Sequence, residues 1–367
     1  MLYFNPLNRL NLMLALALTF GLVACGGAEN TLSTQEDPVE QMPGEPDRGS
    51  RDERRVDSGA PTVETPFSRE LSGLQTGYEF THGGQGRRFH FYAPPDLDDE
   101  GAYPLVVLMH GHGGSSDQMI GLSGMKAPYR IWLDIAAREK VFLLVPEGVI
   151  SPDNQLGWND CRADTTTNPS TDDVGFIVAL VGAMASTYPI DEGRVYVSGT
   201  SNGAHMSFRL AIEAGERFAA IAPLLAALPQ NSKCSAPDTQ VALMLINGTH
   251  DMILPYEGGQ MVGGRGDVRS TVDTIAFWRM LNENTATASV KNLPDINALD
   301  ESTVVRTDYA GALNIQDVTL VTMEGAGHAE PSISEQYSVF YERIVGTQNH
   351  DVEMAELVWT FFKDKTR

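Results

Sequence analysis

Basic residues are scarce in this sequence: 26 Lys and Arg stand against 48 Asp and Glu across 367 residues, a formal net charge of −22. Nucleic acid demands a basic face on its protein partner, so this balance argues against nucleic-acid binding. Cysteine is rarer still, with three residues: Cys25, Cys161 and Cys234. No Cys-x-x-Cys spacing occurs, which argues against a structural zinc site. Past the N-terminus, no apolar run reaches the roughly 18 residues of a membrane-spanning helix. What remains is 42% hydrophobic and 20% charged, the balance of a globular protein and not of a disordered one. The length suits one large domain or two small ones.

Residues 1–24 carry one charge, Arg9, ahead of the apolar run from Leu12 to Ala24, which is the layout of a signal peptide. The run ends Leu22-Val23-Ala24-Cys25 and continues Gly26-Gly27. This tetrapeptide resembles a bacterial lipobox. The resemblance implies a lipidated Cys25 and an outer-membrane lipoprotein, since position 26 is Gly and not Asp. A plain secretory signal with an incidental Cys is the alternative, giving a secreted or cell-surface protein. Residues 25–66 then read as a tether, with ten acidic residues, four Arg and five Pro after Cys25 and no apolar periodicity. Such a segment cannot bury enough surface to offset its ordering entropy. If Cys25 is lipidated, Cys161 and Cys234 form an even pair in an oxidising compartment, where a disulfide persists. Two buried free thiols are the alternative.

From residue 67 to the end, strand and helix patterns alternate. Arg88 to Tyr92 alternates like an early antiparallel strand, and Pro104 to Met109 is a continuous apolar run suited to a buried parallel strand. The runs 141–145, 194–197, 219–224, 241–246 and 318–323 repeat that type. Between them, Phe176, Ile177, Leu180, Val181 and Met184 recur at helical steps after Ser170-x-x-Asp173. Ile275, Trp278 and Leu281 follow Ser270-x-x-Asp273, which looks like a capping box. Met354, Leu357, Val358, Phe361 and Phe362 stripe a last helix that His350 is expected to open. No internal repeat is visible. Alternation over this length predicts a single α/β domain, a doubly wound and mostly parallel sheet with helices on both faces.

The chemistry-bearing residues fall at predicted strand ends. Gly199-Thr200-Ser201-Asn202-Gly203 runs from a strand directly into a helix, the context of a G-x-S-x-G nucleophile elbow. A serine alone is a poor nucleophile and needs a base held by a third group. On such a unit the acid and then the His follow in chain order. Of the eight His, His328 and His350 come late enough. His328 follows an apolar strand in a Gly-rich loop, whereas His350 reads as surface capping. Asp251 also sits just past a strand end, unlike Asp238, Asp267 and Asp273. The expected triad is Ser201, His328 and Asp251. The oxyanion donors are expected to be the backbone N–H groups of Asn202 and of His112, in the loop His110-Gly111-His112-Gly113-Gly114. His110 and His112 stand at a spacing a metal can use, but a Gly-rich turn with a buried structural His is the preferred reading. No metal or cofactor is expected.

These pieces resemble the α/β-hydrolase superfamily, and within it the secreted esterases that include polyhydroxybutyrate depolymerases and feruloyl esterases. The resemblance runs from about residue 76 to the end. It rests on PLVVLMHGHGG, on Gly157-Trp158-Asn159-Asp160-Cys161 with Asp172 to Phe176, on GTSNGAHM, on Asn247 to Asp251 with Pro255 to Gly259, and on Gly325-Ala326-Gly327-His328. It implies triad roles for Ser201, Asp251 and His328. Trp158 is a candidate to line the acyl pocket, with plain core as the alternative, and Tyr256 is a candidate substrate contact. Where the family's His motif often continues with Trp-Pro, this chain has Ala329-Glu330-Pro331, which bears on aromatic-acyl preference. The implied activity is extracytoplasmic hydrolysis of feruloyl esters on plant polysaccharide or of polyhydroxyalkanoate, by a monomer without cofactor. The alternatives are a general short-chain carboxylesterase, a peptidase of the same fold, and a non-catalytic tethered binding module.

Overall fold

The computed structural model describes residues 67–98, 101–124 and 128–367. The expected signal segment, Cys25 and the acidic tether lie outside the described residues. The strands, in chain order, are β1 (Gly73–His82), β2 (Gln85–Ala93), β3 (Tyr103–Met109), β4 (Phe142–Pro146), β5 (Val149–Ile150), β6 (Leu156–Gly157), β7 (Ile190–Thr200), β8 (Ala220–Leu224), β9 (Ala242–Gly248), β10 (Gly259–Gln260), β11 (Asp267–Val268), β12 (Ser289–Asn292), β13 (Thr303–Tyr309) and β14 (Val318–Glu324). The helices that pack on them are α1 (Ile131–Glu139), α2 (Asp173–Thr187), α3 (Asn202–Glu213), α4 (Thr271–Leu281) and α5 (Met354–Phe362).

Ten strands form one sheet in the order β1-β2-β4-β3-β7-β8-β9-β14-β13-β12. The six from β4 to β14 run parallel. Antiparallel pairs close both edges. The continuous apolar runs become the central strands because both faces of the sheet are covered. The period of two in β3 divides the core. Leu105, Val107 and Met109 pack with Phe176 and Leu180 of α2, Phe208 of α3 and Trp278 of α4. Val106 and Leu108 face Trp132 and Ile135 of α1 and Val358 and Phe362 of α5. Each such side chain, fully buried, contributes roughly 1.5–3 kcal/mol.

Ser270 caps α4, its Oγ accepting the Asp273 N–H at 2.9 Å, which is one half of the expected capping box. Two boundaries differ from expectation. Helix α2 is capped by Asp172, whose Oδ1 accepts the Gly175 N–H at 2.9 Å, and not from Ser170. His350 does not open α5, which starts at Met354; its Nδ1 instead bonds the Ser332 carbonyl at 2.9 Å. The parallel register sends the loops after β3, β7, β9 and β14 out of the same edge of the sheet, the edge where α/β folds place their ligands.

Candidate active site

Ser201 is the pivot between β7 and α3, with φ 52° and ψ −115°. A serine at positive φ is strained by about 1–3 kcal/mol and persists only where its surroundings hold it. Here the Ser201 N–H donates to the Leu224 carbonyl and its carbonyl accepts from the His205 N–H, each at 2.9 Å. The two flanking glycines let β7 and α3 meet. A Cβ on Gly199 would stand 2.7 Å from the Gly203 carbonyl, and one on Gly203 would collide with the carbonyls of Met109 and His110. Ser201 is half-buried, and Gly111 lies against it: a Cβ there would be 3.4 Å from Ser201 Cβ.

Asp251 follows β9 and His328 follows β14, and both are buried. His328 Nδ1 and Asp251 Oδ2 are 2.5 Å apart. The other carboxylate oxygen accepts the N–H groups of Ile253 and Leu254 at 2.8 Å each. Nδ1 facing a carboxylate must carry the proton, which leaves Nε2 as the accepting nitrogen. A pair of this kind can take a proton from a hydroxyl and return it to a leaving group.

Asn202 is the first residue of α3, so its N–H has no partner from within the helix. Its side chain ties the elbow to the next loop. Oδ1 accepts the Trp158 N–H at 2.7 Å, and Nδ2 donates to the Trp158 carbonyl at 3.1 Å and to Asp160 Oδ2 at 2.8 Å. Trp158 is fully buried, with Nε1 donating to the His110 carbonyl at 2.9 Å. Trp158 thus braces the β3 loop from beneath. Tyr256 is half-buried and its hydroxyl meets Thr322 Oγ1 at 3.0 Å.

The two loop histidines do not converge. His110 donates from Nδ1 to the Gly111 carbonyl at 2.7 Å and accepts the Gly148 N–H at Nε2 at 2.9 Å, so both ring nitrogens are engaged. Burial pushes its pKa down to about 4. His112 bonds Asp153 Oδ2 through Nε2 at 2.7 Å, and burial lowers it too.

A buried ion pair, Arg162 with Asp160 at 2.5 Å, was not singled out from the sequence. Burial by itself would raise the Asp160 carboxyl, but the charge and hydrogen bonds of Arg162 outweigh it and hold it well below the usual carboxylate range. An Asp two residues before an Arg is too common a pattern to reveal this. Cys161, between them, is bonded to Cys234, with their Cα atoms 5.2 Å apart.

A mostly parallel sheet, a strained serine elbow after a central strand and a His–Asp pair at two neighbouring strand ends define an α/β-hydrolase fold. Residues 88–235 match the family described as esterase PHB depolymerase. The chain is 29% identical over 248 residues to "Putative esterase NocK" of Nocardia uniformis subsp. tsuyamanensis, covering 67% of this chain and 65% of that protein. It is 26% identical over 190 residues to "Probable feruloyl esterase C" of Aspergillus niger, covering 50% of this chain and 64% of that one. Among solved structures, an acetyl xylan esterase from Aspergillus awamori is 15% identical, with a TM-score of 0.47, over 70% of this chain and 94% of that chain. Over these stretches the chain is similar to the polyhydroxybutyrate depolymerases and feruloyl esterases. It spans a little under two thirds of the length of the first curated relatives it matches.

Proposed function

We propose that the protein is a serine carboxylic-ester hydrolase. Ser201 attacks the ester carbonyl, His328 Nε2 takes the proton and returns it to the leaving alcohol, and Asp251 fixes the imidazole tautomer. The N–H groups of Asn202 and His112 hold the tetrahedral oxyanion. Water then releases the acyl group from Ser201 by the same steps in reverse. The observation that carries this reading is the 2.5 Å bond between His328 Nδ1 and Asp251 Oδ2 at the sheet edge where Ser201 stands on its elbow. Its family relatives favour feruloyl esters or polyhydroxyalkanoate as the substrate class. The Cys161–Cys234 disulfide favours an oxidising, extracytoplasmic compartment. Lipid attachment at Cys25 would then fix the protein to the outer membrane.

The test is hydrolysis of p-nitrophenyl acetate together with labelling by a fluorophosphonate. Wild type should do both and Ser201→Ala neither, while a folded Ser201→Ala retaining more than about a tenth of the activity would remove Ser201 from the mechanism.

A further inference from the structure

Arg265 lies in the turn between β10 and β11, on the loop that follows Asp251. Its Nε is buried and makes no hydrogen bond, and among the described residues its guanidinium forms no ion pair. Burial lowers its pKa, as does the like charge of Arg162, with Asp153 acting in the other direction. Leaving a buried guanidinium N–H unpaired is costly. Carboxylates are not in short supply, with 48 acidic residues against 26 basic ones, yet none closes on this fork.

The turn that carries Arg265 is braced from the serine elbow outward. Asn202 Nδ2 donates to Asp160 Oδ2 at 2.8 Å, Asp160 holds Arg162 at 2.5 Å, and Arg162 Nη1 donates to the Arg265 carbonyl at 2.9 Å. The Thr166 N–H on the Gly264 carbonyl at 3.0 Å and the Met261 N–H on the Gly266 carbonyl at 2.9 Å fix the turn on either side. Toward the β3 loop, the charge of Arg265 reaches both Asp153 and His112, the pair that anchors the proposed oxyanion donor. The turn tied in this way to the serine elbow thus carries a half-buried cation whose Nε has no hydrogen-bond partner. A guanidinium presents a planar fork that matches a carboxylate in bidentate fashion.

We propose that Arg265 recognises a carboxylate carried on the ester substrate, so that the enzyme favours esters of acidic alcohols. This rests on the esterase reading above and names the substrate feature that reading leaves open. Two sources share the chemistry: a uronate in a polysaccharide, and the free carboxylate end of a hydroxyalkanoate oligomer. In both, the carboxylate lies on the alcohol side of the scissile ester.

The experiment compares acid and neutral members of matched pairs in wild type, Arg265→Met and Arg265→Lys. One pair is the 3-hydroxybutyrate dimer and its terminal amide, and the other is acetylated galacturonate and acetylated galactose. The acid-to-neutral ratio of kcat/KM should fall about tenfold or more in Arg265→Met, chiefly through KM, and only partly in Arg265→Lys. The pair that shows the fall identifies the source. An unchanged ratio, including one where acid and neutral substrates decline together, makes Arg265 a structural brace and overturns the proposal. Calorimetry of 3-hydroxybutyrate dimer and galacturonate binding to Ser201→Ala, with and without Arg265→Met, decides it independently of turnover. If wild type hydrolyses no ester, the esterase reading fails. A tenfold loss of acid binding without Arg265 would still uphold the carboxylate site, and equal or undetectable binding would end it.

Discussion

His328 Nδ1 lies 2.5 Å from Asp251 Oδ2 across a sequence separation of 77 residues. The sheet brings them together. β9 and β14 are adjacent and parallel, with Gly248 opposite Met323, so the two loops leave side by side. The His250 N–H then bonds the Ala326 carbonyl at 2.9 Å, and the His328 N–H bonds the Val345 carbonyl at 2.7 Å. Asp251 is held in turn by the N–H groups of residues 253 and 254, so its orientation does not depend on the imidazole.

That independence makes Asp251→Asn an informative variant. The amide nearly preserves the shape, but it can present an N–H to the ring and favour the wrong tautomer. Turnover should fall by about three to four orders of magnitude with the far-UV spectrum unchanged. A folded Asp251→Asn protein within tenfold of wild type would mean that this pair does not drive the chemistry.

Much of this site was legible in the sequence, and for a physical reason. Strands buried on both faces are written as unbroken apolar runs, and Ser201, Asp251 and His328 each follow one closely. The edge strands were harder to see. β1, β12 and β13 are mostly exposed or half-buried, and they carry mixed residues such as Arg306 and Asp308, which bond each other along the strand at 2.8 Å. Trp158 shows a different limit. Its residue type fits a pocket wall or a core, and neither its burial nor the bond from Nε1 to the His110 carbonyl can be read from residue type. The Asp160–Arg162 pair and the unpaired Arg265 have no spacing signature, because burial and partners, not residue types, set them apart.

Two glycine-to-alanine changes should behave in opposite ways. Gly182 lies on the exposed face of α2 with nothing near its missing Cβ. Gly182→Ala should raise stability by about 0.4–1 kcal/mol, because it restricts the unfolded chain at a position where the helix accepts a side chain. In Gly203→Ala the new methyl would meet the carbonyls of Met109 and His110. The elbow must then open, so esterase activity and melting temperature should drop together. Urea unfolding of both variants checks this, and a stable, active Gly203→Ala protein would contradict the close approach of β3 and α3.

Removing the disulfide should affect stability and the site together. Cys161 and Cys234 close a loop of 73 residues, for which chain entropy alone suggests roughly 4 kcal/mol, with engineered cases often giving less. Cys161 also separates Asp160 from Arg162, so Cys161→Ala with Cys234→Ala loosens the loop whose Asp160 holds Asn202. Lower unfolding free energy with reduced kcat is expected. A double variant as stable as wild type would show that the surrounding packing holds this loop without the bridge.

Stability should fall on the acid side of neutrality, with buried histidines as the cause: His110 and His205 most strongly, and His90 and His112, which burial also lowers, in the same sense. Burial pushes His110 down to about 4 and His205 down to about 3. In the unfolded chain both take up a proton near ~6.5. Between about pH 6.5 and those lower values the unfolded state therefore binds protons that the folded state refuses, and unfolding gains as pH drops. Their contribution is fully present above about pH 6.5. It is lost as the pH falls toward 4 for His110 and toward 3 for His205, and amounts to a few kcal/mol between them. Asp173 acts in the opposite sense, because burial raises its carboxyl and the folded state takes up that proton more readily than the unfolded chain. The histidines dominate between pH 6.5 and 4.5, above the range of an ordinary carboxylate. Urea unfolding should show a marked loss from pH 7 to pH 4.5. In His110→Gln, whose amide oxygen can still accept the Gly148 N–H, that loss should shrink by the share His110 contributes, the other buried histidines supplying the rest. A flat profile in wild type, or an unaltered slope in His110→Gln, would show that His110 does not stay neutral in the folded protein.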